Sequence, residues 1–130
     1  MEQIKLLLVV WEPSLLRGLR MRLEIEADLQ VVGEARRADD VEQLARAIEP
    51  DVIVLDADLA DRTSTAVDLL RSLAPAHAVV VLSLHDNVEV AVALLEAGAA
   101  AFVCKHDPSE LFIAAIRDAA SNRATRRETQ

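Results

Sequence analysis

Asp-Val-Ile-Val-Leu-Asp, running from Asp51 to Asp56, is the stretch that decides how this chain is read. Four apolar residues, three of them β-branched, stand between two aspartates directly after Pro50. An unbroken apolar run of this length suits a parallel strand covered by helices on both faces; a strand with one wet face would alternate. Asp56 then falls at the carboxyl end of that strand, where open α/β sheets place their ligand crevices. The rest of the chain is ordered by what it brings to Asp56.

Upstream, Ile4 to Val10 is a first strand broken only by Lys5, and Glu12-Pro13 ends it. Proline suits the first turn of a helix, where its missing N–H costs nothing. That helix is expected from Ser14 to Glu26 with Leu16, Leu19 and Leu23 on one side, and Gly18 inside it suggests a close approach. Gln30 to Glu34 reads as a second strand. Asp39 and Glu42 have the spacing of a capping box and open a second helix with apolar Val41, Leu44, Ala45 and Ile48.

Downstream, after an acidic loop from Ala57 to Arg62, a third helix from Thr63 to Leu73 should bury Ala66, Leu69, Leu70 and Leu73. Ala78 to Leu82 is a fourth strand. Asp86 and Glu89 again match a capping box, and the helix they open ends before Gly98. Ala100 to Cys104 is a fifth strand, and Asp107-Pro108-Ser109-Glu110 starts a last helix with a cap, a proline and an early acid. Strands alternating with helices define an α/β, (βα)5 chain with right-handed crossovers and a parallel sheet.

The fourth helix has two apolar stripes. Val88, Ala91, Val92 and Leu95 make one face, and Val90, Ala93 and Leu94 make much of the other apolar too. Either the helix is deeply buried, or one stripe is an exposed partner surface. Val88, Val90 and Leu94 are the candidate contact residues.

Composition narrows the function. A net charge of -8 gives the body no basic patch for phosphate backbones, so nucleic-acid binding by this domain is not expected. Only the end, with Arg123, Arg126 and Arg127, is basic; residues 1–120 are expected to form the domain and 121–130 a solvated tail or the start of a linker. Cys104 is alone, which excludes an intrachain disulfide and a thiolate cluster, and it reads as core. No secretory leader precedes the first strand, and no run reaches the roughly 18 to 20 apolar residues of a membrane span. A cytoplasmic protein without membrane contact is the expectation. His77, His85 and His106 lack ligand spacing and read as surface or hinge residues.

The strand ends converge in such a fold. Strand three brings Asp56, strand four Ser83, and strand five leads into Lys105. A carboxylate can attack phosphorus and become an acyl phosphate, while a hydroxyl and an ammonium bind the new phosphoryl oxygens. With Glu12-Pro13 through Gly18-Leu19, "VVGEA" at Val31 to Ala35, "PDVIVLD" at Pro50 to Asp56, "VVVLS" at Val79 to Ser83 and "LEAGAAAFVCK" at Leu95 to Lys105, the sequence resembles a receiver domain of bacterial two-component response regulators. It is most similar to those joined to LuxR-type helix-turn-helix output domains, the NarL/FixJ group, over about Ile4 to Ala120.

The resemblance implies a CheY- and flavodoxin-like fold with strand order 2-1-3-4-5. It makes Asp56 the phosphoacceptor or its relic, Ser83 the switch hydroxyl, Lys105 the phosphate-binding lysine and Phe102 the switch aromatic. It implies a homodimer, a histidine kinase partner and a helix-turn-helix output domain beyond residue 130. It also exposes a departure. Receivers carry two acidic residues at the end of strand one to hold Mg²⁺, and this chain has Val10 and Trp11. Neither can ligate a hard cation that prefers oxygen.

Glu12, Asp56 and Asp58 could contribute only weakly, with Asp61 in the same loop, and Asp58 stands where the family uses a backbone carbonyl. No cofactor is expected beyond weakly held Mg²⁺. Trp11 should pack where the ion would sit, or else form part of a ligand or partner surface. Lys105 should pair with Asp56, and Leu84 should narrow the crevice. The expected function is an atypical receiver, a signalling and dimerisation module weakly coupled to Mg²⁺-dependent phosphorylation and not an enzyme in the ordinary sense. A conventional phosphoacceptor and a receiver controlled by a small molecule are the alternatives.

Overall fold

The computed structural model describes residues 2–58, 63–84 and 87–129. Its elements alternate as expected: β1 (Ile4–Val9), α1 (Pro13–Glu24), β2 (Leu29–Ala35), α2 (Ala38–Ile48), β3 (Val52–Asp56), α3 (Thr63–Leu73), β4 (Ala78–Ser83), α4 (Val88–Glu96), β5 (Ala101–Cys104) and α5 (Ser109–Thr129). All the strand pairs are parallel, and the order is β2-β1-β3-β4-β5. The opening stretch is the centre of the sheet, with all five residues of β3 buried. Its acidic start is used as well: the Lys5 N–H donates to the Asp51 carboxylate at 2.8 Å, and the Asp51 N–H to the Lys5 carbonyl at 2.8 Å.

Because successive strand residues point to opposite faces, each strand feeds two cores. Leu7, Val9, Ile53, Leu55, Val79 and Val81 meet α2, α3 and α4, while Leu6, Leu8, Val52, Val54, Val80 and Leu82 meet α1 and α5. The continuous apolar run is thus explained by two covered faces. Each such side chain contributes about 1.5–3 kcal/mol through burial. Between Leu6 and Leu7 the β1–β2 register slips by one residue, so that Leu6 pairs with Val31 and Leu7 with Gly33. At Gly33 an added Cβ would lie 2.4 Å from Ile48 Cδ1, so α2 rests directly on the backbone there.

Several local expectations need correction. Gly18 is open, with nothing within 4 Å of an added Cβ, so close packing is not its role. The N-cap of α2 is Arg37, with no side-chain cap bond; Asp39 and Asp40 lie inside the first turn, where they face the positive end of the helix dipole. The α4 cap is Asn87, whose side chain accepts from the Glu89 N–H at 2.8 Å, and Asp86 lies outside the described residues. Asp107 turns back on β5 instead of onto α5, its carboxylate accepting from the Cys104 N–H at 3.1 Å. Cys104 itself is only half-buried. Gly98 ends α4 as expected, at φ +116°, a conformation that suits glycine.

The last helix does not stop near Ala120. It continues to Thr129, and Arg123 is no solvated tail residue: its Nη1 donates to the Pro50 carbonyl at 2.7 Å and the Asp51 carbonyl at 3.2 Å. This contact fastens the helix to the start of β3. Higher on the same helix, Arg117 holds both Asp28 oxygens, at 2.8 and 2.9 Å, and the Glu26 carboxylate at 2.8 Å.

The two stripes of α4 divide the contact residues expected, Val88 lying outside and Val90 and Leu94 inside. Leu94 is fully buried and Val90 packs against the core, with Ala97 completing an i, i+4, i+7 face. Val88, Val92 and Leu95 are exposed at 74, 44 and 47%. Leu94 and Val90 therefore leave the set of candidate contact residues, Val88 stays, and Val92 and Leu95 join it.

Candidate functional site

The crevice is assembled by backbone bonds between neighbouring strand ends. Asp56 pairs with Leu82 across β3 and β4, the Ala57 N–H donates to the Leu82 carbonyl at 2.8 Å, and the Lys105 N–H to the Ser83 carbonyl at 2.8 Å. These bonds put Asp56, Ser83 and Lys105 in one place, as their positions in the sequence require. Asp56 is 3% exposed and Ser83 fully buried. A buried carboxylate needs a counter-charge, and Lys105 Nζ lies 2.8 Å from Asp56 Oδ1. The expected ion pair is formed.

The lysine has a second partner that sequence reasoning did not foresee. Its Nζ is also 2.8 Å from Asp58 Oδ2. The same Asp58 oxygen accepts from the Leu84 N–H at 2.8 Å, and Asp58 Oδ1 accepts from the Ser83 hydroxyl at 3.2 Å. The Asp58 N–H in turn donates to Asp56 Oδ1 at 2.9 Å. Asp58 was expected to offer a backbone carbonyl to a cation; instead its carboxylate turns across the crevice toward β4 and β5. The signal available was an acid two residues beyond Asp56, within reach of a hydroxyl and an ammonium.

Proton affinities follow from these contacts. Burial acts to raise the Asp58 carboxyl, but hydrogen bonds from Lys105, Leu84 and Ser83 and the ammonium charge outweigh it, holding it below the ordinary aspartate value. Burial likewise acts to lower Lys105, and hydrogen bonds and charge from Asp56 and Asp58 outweigh it, so the ammonium is held more firmly than usual. Both groups are ionised at neutral pH.

The strand-one side of the crevice is different. Val10 is fully exposed to hydrocarbon and not at all to solvent, packed in the core shared with α1 and α5. Trp11 is half-buried against the opposite core, under α2, α3 and α4. Glu12 is occupied as the N-cap of α1, accepting from the Ser14 and Leu15 N–H groups at 3.0 and 2.8 Å. Those two bonds hold its carboxyl below the usual range. Tested against Mg²⁺, which demands near-octahedral oxygen ligands, these residues do not fit. Two offer no oxygen and the third is engaged elsewhere; among the described residues no group of three or more His, Cys, Asp or Glu side chains is placed to hold a metal.

Of the other expected residues, Phe102 is half-buried against the α2–α3–α4 core. Leu84 is 52% exposed, with its N–H turned to Asp58. His106 is exposed, and His77 is half-buried beside a cavity of about 450 Å³ at the opposite end of the sheet, which Glu42, Arg46, Glu49 and Arg123 also line. His85 and Asp61 lie outside the described residues. No helix among the described residues is long and apolar enough to cross a membrane.

Comparison with known proteins agrees with this geometry. Residues 6–117 match the family described as the response regulator receiver domain. The transcriptional regulatory protein MctR of Rhizobium johnstonii is 30% identical over 119 residues, covering 91% of this chain and 56% of MctR. The nitrate/nitrite response regulator protein NarL of Escherichia coli is 29% identical over 121 residues, covering 92% of this chain and 56% of NarL. The chain thus spans about half the length of these relatives. Among solved structures, the signal receiver domain of a NarL response regulator from Mycobacterium tuberculosis superposes with a TM-score of 0.84 at 23% identity, covering 93% of this chain and 98% of that one.

Proposed function

The chain belongs to the response regulator receiver domain family, and from that membership we propose that it is a receiver whose output is association, only weakly coupled to Mg²⁺-dependent phosphorylation. The observation that carries this reading is the strand-one end, where buried Val10 and half-buried Trp11 belong to the two cores and Glu12 caps α1. Phosphoryl transfer to a carboxylate brings two anions together, and the ion that would offset their repulsion lacks its ligands. Loss of an electrostatic stabiliser of this kind costs on the order of 3–4 kcal/mol, about 100- to 1000-fold in rate.

The exposed stripe of Val88, Val92 and Leu95 on α4 supports a contact surface for a second copy or a partner protein. The match to roughly half of two named regulators supports a further output module in the native protein, with transcription as the regulated process. Incubation with carbamoyl phosphate and Mg²⁺, followed by intact-protein mass spectrometry, tests the reading. The expected result is an unchanged mass; rapid stoichiometric gain of a phosphoryl group on Asp56 would overturn it.

A conventional phosphoacceptor is the second reading, favoured by the buried Asp56, Ser83 and Lys105 in one crevice. It requires the ion beside Trp11, so a saturable change in tryptophan fluorescence at millimolar Mg²⁺ distinguishes it.

A further inference from the structure

Three donors converge at the carboxyl end of β4 and β5: the Ser83 hydroxyl, the Leu84 N–H and the Lys105 ammonium. All three point at one carboxylate, that of Asp58, at 3.2, 2.8 and 2.8 Å. A hydroxyl, a backbone amide and an ammonium disposed around a common point are the donor set that recognises a tetrahedral oxyanion such as phosphate. We propose that this is an oxyanion-binding pocket filled from within, with the Asp58 carboxylate standing where the oxygens of a phosphate-class anion would sit. The inference rests on reading the crevice as a receiver site and adds what occupies it.

The argument is one of geometry and charge. Asp58 belongs to the loop after β3, two residues from Asp56, yet its side chain crosses the crevice to reach β4 and β5. Its N–H meanwhile donates to Asp56 Oδ1 at 2.9 Å, so main chain and side chain together bridge β3 to β4 and β5. The ammonium of Lys105 is shared between Asp56 and Asp58, with 2.8 Å to each. Among the described residues, a third anion entering the crevice would face the carboxylates of Asp56 and Asp58 and the ammonium of Lys105, and would have to displace Asp58 first. A tethered group competes at a millimolar or higher effective concentration, so a weakly held oxyanion is kept out. The same contacts hold the Ser83 hydroxyl and the Leu84 amide in an anion-bound arrangement without any modification of Asp56.

Removing the Asp58 carboxylate therefore opens the pocket. The test uses the full chain labelled with ¹⁵N and titrated with inorganic phosphate at constant ionic strength, in the absence of Mg²⁺ and phosphoryl donors. The Leu84 amide resonance reports on its acceptor. In the wild-type chain it should not respond to phosphate. In Asp58→Ala it should start at higher field, having lost a carboxylate acceptor, and return toward the wild-type position saturably, with an affinity at least about tenfold above any wild-type response.

Asp58→Asn, which keeps the side-chain size but not the charge, guards against a folding defect and should fall between the two. Urea unfolding of each variant establishes that it is native. Phosphate binding by the wild type as tight as by Asp58→Ala overturns the proposal, and so does a native Asp58→Ala or Asp58→Asn whose Leu84 amide ignores phosphate. Neither result depends on labelling of Asp56 by carbamoyl phosphate, so failure of this inference and failure of the weakly coupled receiver reading are read from separate experiments.

Discussion

The two sides of the crevice have opposite chemistry. On the strand-one side, Val10 is buried in one core, Trp11 leans on the other and Glu12 caps a helix. On the side built by β3, β4 and β5, two carboxylates, a hydroxyl, two backbone amides and an ammonium are joined by bonds of 2.8 to 3.2 Å. The strand-one side is given over to the two cores and a helix cap, while on the other side the donors of Ser83, Leu84 and Lys105 all meet carboxylates. A buried polar network is stable only if every member has a partner. Asp58 supplies one for Ser83, Leu84 and Lys105, so the second half can persist without the first.

The largest effect should come from placing a carboxyl on the strand-one side. Val10→Asp puts a carboxyl into an apolar cluster that includes Leu8, Leu16, Val54 and Leu82, which offers it no counter-charge. An uncompensated buried charge costs about 3–5 kcal/mol, and urea denaturation should show a loss of that size. A tolerated Val10→Asp would mean that the strand-one end is not sealed, and the contrast between the two sides would collapse.

Lys105→Ala attacks the other side. It strips the shared cation from Asp56 and Asp58, and a loss of about 1–3 kcal/mol is expected from leaving hydrogen-bonding charge without its partner. The pH dependence sharpens the test. The Asp58 carboxyl is held below the ordinary aspartate value of 3.8, so its contribution is present above that pH and is lost as pH falls through the folded-state value. Lys105 is raised above 10.5, so its contribution is present below that pH and is lost as pH rises through the folded-state value. The stability difference between wild type and Lys105→Ala should therefore be flat between these limits and shrink outside them. A difference that varies across neutral pH would show that some other group controls the crevice.

How legible this was in the sequence depends on how local the cause is. The inner strands β3 and β4 were readable because both of their faces are covered, so each is apolar up to its last residue, and α3 was readable because Ala66, Leu69, Leu70 and Leu73 leave only one choice of face. The meeting of Asp56, Ser83 and Lys105 follows from topology once the strands are known. Asp58 was misread because its role is set by side-chain direction across 25 residues of separation to Ser83, which no spacing rule encodes. Arg123 was read as a solvated tail residue because composition cannot show a side chain reaching carbonyls some 70 residues earlier. The Asp39–Glu42 box failed because the helix begins one residue ahead of its proposed cap.

The smallest effect concerns how the polar side could speak to a partner, and it turns on α4. That helix begins a few residues after the Leu84 amide that Asp58 holds, and it carries apolar residues at both i, i+4, i+7 registers, so hydrophobicity alone could not say which faces inward. The structure resolves the ambiguity through β4 and α3: Leu94 is fully buried in the core they share, whereas Val88 and Val92 are outside it. Truncating a residue at such an inward position costs about 2–5 kcal/mol, because a cavity is added to the lost transfer energy. The exposed positions have no such cavity to create. Val88→Ser with Val92→Ser should change unfolding free energy by no more than about 0.5 kcal/mol. The same pair should weaken self-association in sedimentation equilibrium if the stripe is the contact surface, because the apolar area removed there is available only to a partner. A serine pair as destabilising as Leu94→Ala would reverse the assignment of the two faces.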